Sequence, residues 1–129
     1  MRRRVLIAVA LAAAAVALFV VGRGAAAEPL ELTTTGTRYA ATVLIDRPTT
    51  EPVVVEVRMR SGDPGSVALA AVMPDMGHAM PEVVAREPEP GRFVAEGRLF
   101  PMPGVWELSI RFDGPAGEET LTVNALITE

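Results

Sequence analysis

The segment Trp106-Glu107-Leu108-Ser109-Ile110-Arg111-Phe112 decides the fold class of this chain. Trp106, Leu108, Ile110 and Phe112 alternate with Glu107, Ser109 and Arg111, so neighbouring side chains sort into an apolar and a polar set with a period of two. A strand has that period and a helix does not. The segment is therefore a half-buried strand, and Trp106, whose strand partners are all apolar, is a core anchor. The pattern recurs on both sides. Val53, Val55, Val57 and Met59 alternate with Val54, Glu56, Arg58 and Arg60, and Leu121, Val123, Ala125 and Ile127 form a third apolar face. Weaker strand patterns cover Leu30–Thr35, Arg38–Asp46, Ser66–Val72, Glu82–Arg86 and Arg92–Leu99.

Turn-forming clusters separate these runs: residues 47–52, Ser61-Gly62-Asp63-Pro64-Gly65, Pro88-Glu89-Pro90-Gly91 and Asp113-Gly114-Pro115-Ala116-Gly117. The third predicts a hairpin spanning Arg86 to Leu99. Seven or eight short strands at such spacing predict an all-β fold, an antiparallel β-sandwich of immunoglobulin-like type with about seven strands. The chain has no cysteine. The sandwich must hold together by its core, without an inter-sheet disulfide, and any metal site lacks thiolate.

The first residues have the character of an export signal. Arg2, Arg3 and Arg4 precede an uninterrupted apolar run from Val5 to Val21, and Ala25-Ala26-Ala27 offers a small-residue cleavage site before Glu28. At ~1.5 Å per residue the run reaches ~26 Å, slightly short of a ~30 Å hydrocarbon core. Residues 1–27 are thus expected to be a signal peptide or an N-terminal membrane anchor helix, and residues 28–129 an extracytoplasmic domain, periplasmic or at the cell surface. The whole chain carries 12 basic and 16 acidic residues, a net charge of −4. Four arginines and no acids precede residue 28, which leaves 8 against 16, near −8, for the domain. That balance argues against a nucleic-acid partner or anionic membrane binding by the domain itself.

One stretch carries recognisable chemistry. Met73-Pro74-Asp75-Met76-Gly77-His78-Ala79-Met80-Pro81 holds three methionines and the only histidine, and Pro101-Met102-Pro103-Gly104 follows just ahead of the only tryptophan. Thioethers are soft, uncharged ligands that select Cu(I) over Mg²⁺ or Ca²⁺. Each proline keeps the residue before it out of a helix, so Met73 and Met80 are expected to be extended. If residues 76–80 are extended too, Met76, His78 and Met80 share one face. If they turn helically, Met73, Met76 and Met80 do. Met102 could approach from a neighbouring loop, Gly77 supplies local freedom, and the Trp106 ring could cover a Cu(I) ion.

The alternative is packing. Methionine fills irregular core gaps, and Met59, continuing a valine face, is expected to do only that. A lone histidine in an apolar loop often caps a backbone carbonyl. No motif sets Ser61, Ser66 or Ser109 beside His78, so the chain is read as non-enzymatic. Glu118, Glu119, Glu87 and Glu89 are expected to be solvated turn residues.

Met73-Pro-x-Met-x-His-x-Met80, then Gly91-x-Phe93, then Phe100-x-Met102-x-Gly104-x-Trp106-x-Leu108 resembles the YtkA-like/FixH-like family over residues 38–127. The resemblance implies a small exported or membrane-anchored β-sandwich that handles copper, with Met73, Met76, His78, Met80 and Met102 as the metal residues. The partners it implies are a copper transporter, an oxidase assembly factor or a metallochaperone. Two functions follow for testing: an accessory protein that holds Cu(I) and passes it on, and a metal-free interaction module of a membrane-associated assembly.

Overall fold

The computed structural model describes residues 28–129. The expected leader, signal peptide or anchor, lies outside the described residues. Ten strands form two antiparallel sheets with no helix longer than one 3₁₀ turn among the described residues. The first sheet runs β1 (Leu30–Thr35), β2 (Ala40–Ile45), β3 (Val53–Ser61), β8 (Arg92–Gly97), β7 (Arg86–Glu89). The second runs β10 (Gly117–Ile127), β9 (Gly104–Gly114), β4 (Ser66–Met73), β5 (His78–Ala79), with β6 (Val83–Val84) also on β4. Setting β1 and the short pieces aside, β2-β3-β8-β7 and β4-β9-β10 reproduce the A-B-E-D and C-F-G sheets of the immunoglobulin sandwich.

The strand that decided the fold class sits at the centre of the second sheet. Trp106, Leu108, Ile110 and Phe112 are all fully buried. They face Val55, Val57, Phe93 and Ala95 of the other sheet within one continuous core. Hairpin β9–β10 turns through Pro115 and Ala116, and its register runs unbroken from Gly114↔Gly117 to Gly104↔Ile127.

The strand count exceeds the expected seven or eight because the run after Met73 divides. Pro81 lacks the N–H that a ladder requires, so β5 stops at two residues, and the expected Glu82–Arg86 strand splits because β6 pairs with β4 in the second sheet and β7 with β8 in the first. The hairpin expected over Arg86 to Leu99 is β7–β8, turning at Pro90-Gly91 with Gly91 left-handed (φ 79°). Met59 packs against the rim of the core, half-buried, beyond the fully buried Val53, Val55 and Val57.

Glu119 departs from its expected role as a solvated turn residue. Its carboxylate accepts hydrogen bonds from the Thr37 hydroxyl (2.6 Å), the Thr37 N–H (3.1 Å), the Arg38 N–H (3.2 Å) and the Tyr39 N–H (3.2 Å). This ties the β1–β2 turn to β10 and explains why β2 starts at Ala40 and not at Arg38. The Thr37 hydroxyl bond holds the Glu119 carboxyl below its ordinary range; partial desolvation opposes this and the backbone N–H bonds reinforce it.

The two ends of the sandwich differ. One carries the β1–β2 turn, the β3–β4 loop and the turns at Pro90-Gly91 and Pro115-Ala116. The other carries Pro29, the β2–β3 connection, the turn after β4, residues 98–103 and the end of β10. Every methionine and histidine of the expected cluster belongs to this second end.

Candidate functional site

Strand β4 ends at Met73, which is extended (φ −102°, ψ 99°) as a residue before proline must be. Pro74–Met76 then forms a single 3₁₀ turn, closed by Gly77 in the left-handed conformation (φ 59°), whose N–H donates to the Pro74 carbonyl at 3.2 Å. A Cβ at that φ would be strained, so glycine suits the reversal. The chain then runs back along β4: His78 pairs with Met73, Ala79 with Val72, and the Met80 N–H donates to the Ala71 carbonyl at 2.9 Å.

Directly opposed residues of an antiparallel pair project to the same face. Met73 points into the core and is 5% exposed. His78, across from it, lies on that face at the rim, its ring edge-on to Trp106 with centroids 6.0 Å apart. Met80, two residues further and opposite buried Ala71, packs half-buried against the core. Met102 approaches from the loop before β9. Its side chain packs against the core, and its carbonyl accepts the Trp106 indole N–H at 2.9 Å. Phe100 meets the same indole edge-on, at 5.8 Å between centroids. One hairpin and one loop thus bring Met73, His78, Met80 and Met102 to the end of the sandwich that Trp106 fills.

Neither expected conformation of the segment occurs. Left-handed Gly77 breaks the alternation between Met76 and His78, and a single 3₁₀ turn cannot carry a helical face from Met73 to Met80. The cross-strand pairing of Met73 with His78 replaces both. Met76 stands apart at the tip of the turn, 67% exposed.

Gly104 is not among the site residues expected from the sequence, yet a Cβ there would stand 2.8 Å from the terminal methyl of Met73. A glycine two residues before a core tryptophan, at the start of a strand, is the signal that could have found it.

No family model matches this chain, and no curated protein matches it. A solved structure does. The crystal structure of an engineered protein, a Northeast Structural Genomics Consortium target, superposes with a TM-score of 0.53 at 16% identity, over 67% of this chain and 20% of that one. This chain therefore spans about a fifth of that protein's length, and the likeness carries the fold alone.

The donors at this end are soft. Among the described residues no group of three or more His, Cys, Asp and Glu side chains stands close enough to hold a metal ion. Glu82, next along the chain, is engaged by Arg111 at 2.5 Å, and that hydrogen bond holds its carboxyl below the ordinary range. Asp75 is exposed on the turn. The donors that gather are thioether sulfurs and one imidazole, a set suited to Cu(I) and poorly suited to hard cations. A recess of about 450 Å³ lined by Arg47, Thr49, Glu51, Pro52 and Glu129 contains none of them.

Proposed function

We propose that this chain is an extracytoplasmic, non-enzymatic copper-handling domain that holds Cu(I) with the methionines and histidine at one end of its sandwich and passes it to a partner. The single observation that carries this reading is the direct pairing of Met73 with His78 beside Trp106. A thioether and an imidazole then share one face next to an aromatic ring, with Met80 on the same hairpin and the Met102 loop bonded to the same indole. Met76, exposed at the turn tip, supplies a fifth donor. Copper would supply no catalysis here. It is cargo, and the chain's contribution is a soft donor set that forms no disulfides. The motif resemblance to YtkA-like/FixH-like proteins points the same way, toward a copper transporter, oxidase assembly factor or metallochaperone as partner.

A specific observation favours a second reading. Met73 is buried, and its methyl fills the space above Gly104, which is what a packing methionine does. On that reading the loop completes the core, and the domain is an interaction module without metal.

Competition titration against a Cu(I) chelator separates the two. The copper reading expects stoichiometric Cu(I) uptake by wild type, with loss in Met76→Ala/Met80→Ala and weakening in His78→Ala. If wild type does not compete, or if the loop variants bind equally well, the interaction-module reading stands.

A further inference from the structure

The end of the sandwich that holds the methionines is also where the described chain begins, at Glu28 and Pro29. Leu30 pairs with Ile45 at this end, so strand β1 begins here and not at the Pro115-Ala116 turn. The same end carries three of the exposed large apolar side chains: Met76 on the turn after β4 (67% exposed), Val105 on β9 (53%) and Leu126 on β10 (63%). Val105 and Leu126 are direct cross-strand partners, so they form one outward patch on adjacent strands.

We propose that this end of the sandwich lies against the surface of the bilayer that holds the N-terminal segment, with Met76, Val105 and Leu126 in contact with the lipid interface. The proposal rests on the export reading with the leader retained, and it does not depend on copper.

Lengths decide the orientation. Between the apolar run ending at Val21 and strand β1, the chain from Gly22 to Pro29 reaches at most ~29 Å when fully extended at ~3.6 Å per residue. Strand β10, 11 residues long, spans the sandwich from end to end, ~37 Å at ~3.4 Å per residue. An inverted domain, resting on its Pro115-Ala116 turn, would require the tether to climb that whole height, beyond its reach. A side-on domain would press charge into the interface. Glu56 with Arg58 and Arg92 occupies the outer face of the first sheet, and Arg111 with Glu82 that of the second. Docking on the methionine-bearing end satisfies the tether and brings Met76, Val105 and Leu126 to the interface, with the exposed Arg47, Glu51, Asp75 and Glu129 of the same end left at headgroup depth. The surplus of acidic residues in the domain suits a zwitterionic surface better than an anionic one. The arrangement holds the Met–His face near the membrane, where a membrane-embedded acceptor could reach it.

The chain's lack of cysteine makes the test direct, because a single introduced thiol takes all of a label. The full chain is reconstituted in phosphatidylcholine vesicles containing nitroxide-headgroup lipid, in chelator-treated buffer, with a fluorophore at Asp75→Cys or at Pro115→Cys. Quenching should be at least severalfold stronger at position 75 than at 115. Val105→Glu/Leu126→Glu should bring the signal at 75 down to that at 115 while leaving thermal melting within a few degrees, since both side chains point outward. Equal quenching at the two positions overturns the proposal. So does quenching at 75 that ignores the glutamates, energy transfer between labelled copies across the patch, or a membrane-recovered chain that starts at Glu28. Because no metal is present, a failure of Cu(I) binding leaves this result untouched, and the converse also holds.

Discussion

The terminal methyl of Met73 occupies the space a side chain at Gly104 would need, 2.8 Å from the position of its Cβ. Gly104 also has a backbone angle (φ 138°) that side chains rarely adopt. The two residues therefore constrain each other at the point where β4 ends and β9 begins. Gly104→Ala should destabilise the domain by ~1–3 kcal/mol through overpacking and backbone strain. Met73→Ala should cost ~2–5 kcal/mol by leaving a cavity. The double variant should lose less than the sum, by ~0.5–2 kcal/mol, because the first substitution frees room for the second. Urea denaturation of the four proteins gives the coupling; strict additivity would show that the contact is unimportant.

Trp106 combines burial with one polar bond, its indole N–H to the Met102 carbonyl. Trp106→Ala should cost ~3–5 kcal/mol. Trp106→Phe keeps an aromatic ring but leaves the Met102 carbonyl without its donor, at ~1–3 kcal/mol. Amide exchange in residues 101–105 should speed up in Trp106→Phe well before the distal β9–β10 turn is affected. Uniform acceleration throughout the domain would mean the loop is not held by this bond.

Acid should release the β1–β2 turn. The folded-state carboxyl of Glu119 titrates below its unfolded value, owing first to the Thr37 hydroxyl bond. Its contribution to stability is therefore full above the unfolded carboxylate range and is lost as pH falls through the lowered folded value. Glu119→Gln should melt lower than wild type at neutral pH and show a shallower decline toward about pH 3, since one titrating contribution is gone. Glu82, held low by Arg111, keeps part of the acid sensitivity in that variant. Parallel melting-temperature curves for the two proteins would contradict this role.

The methionines should separate by burial. Met76→Ala, at an exposed turn tip, should shift stability by no more than ~0.5 kcal/mol. Met73→Ala should lie at the buried extreme already stated, with half-buried Met59→Ala between them. Equal losses from Met76 and Met73 would contradict their placement. A stability-neutral Met76→Ala also makes any change in its Cu(I) affinity interpretable as lost ligation.

The amino-acid sequence alone determined the strands whose two faces meet different environments. Trp106 to Phe112, Val53 to Met59 and Leu121 to Ile127 alternate because one side must leave water, and that requirement is local and periodic. It also determined the turns, since proline and glycine act on their own backbone and their neighbours'. The arrangement of the methionine cluster was a matter for the tertiary structure. Both conformations read from spacing treated residues 76–80 as one regular element, whereas left-handed Gly77 reversed the chain and set His78 against Met73 across strands. Register between strands depends on which hydrogen-bonding edges meet, and the edge of β4 turned away from β9 takes β5 at Val72 and Met73. Glu119 was unreadable for a related reason: its hydrogen-bond donors lie 80 or more positions away and come within reach only when β1 packs beside β10. Long-range polar contacts leave no period in a sequence, because they arise from where the sheets meet.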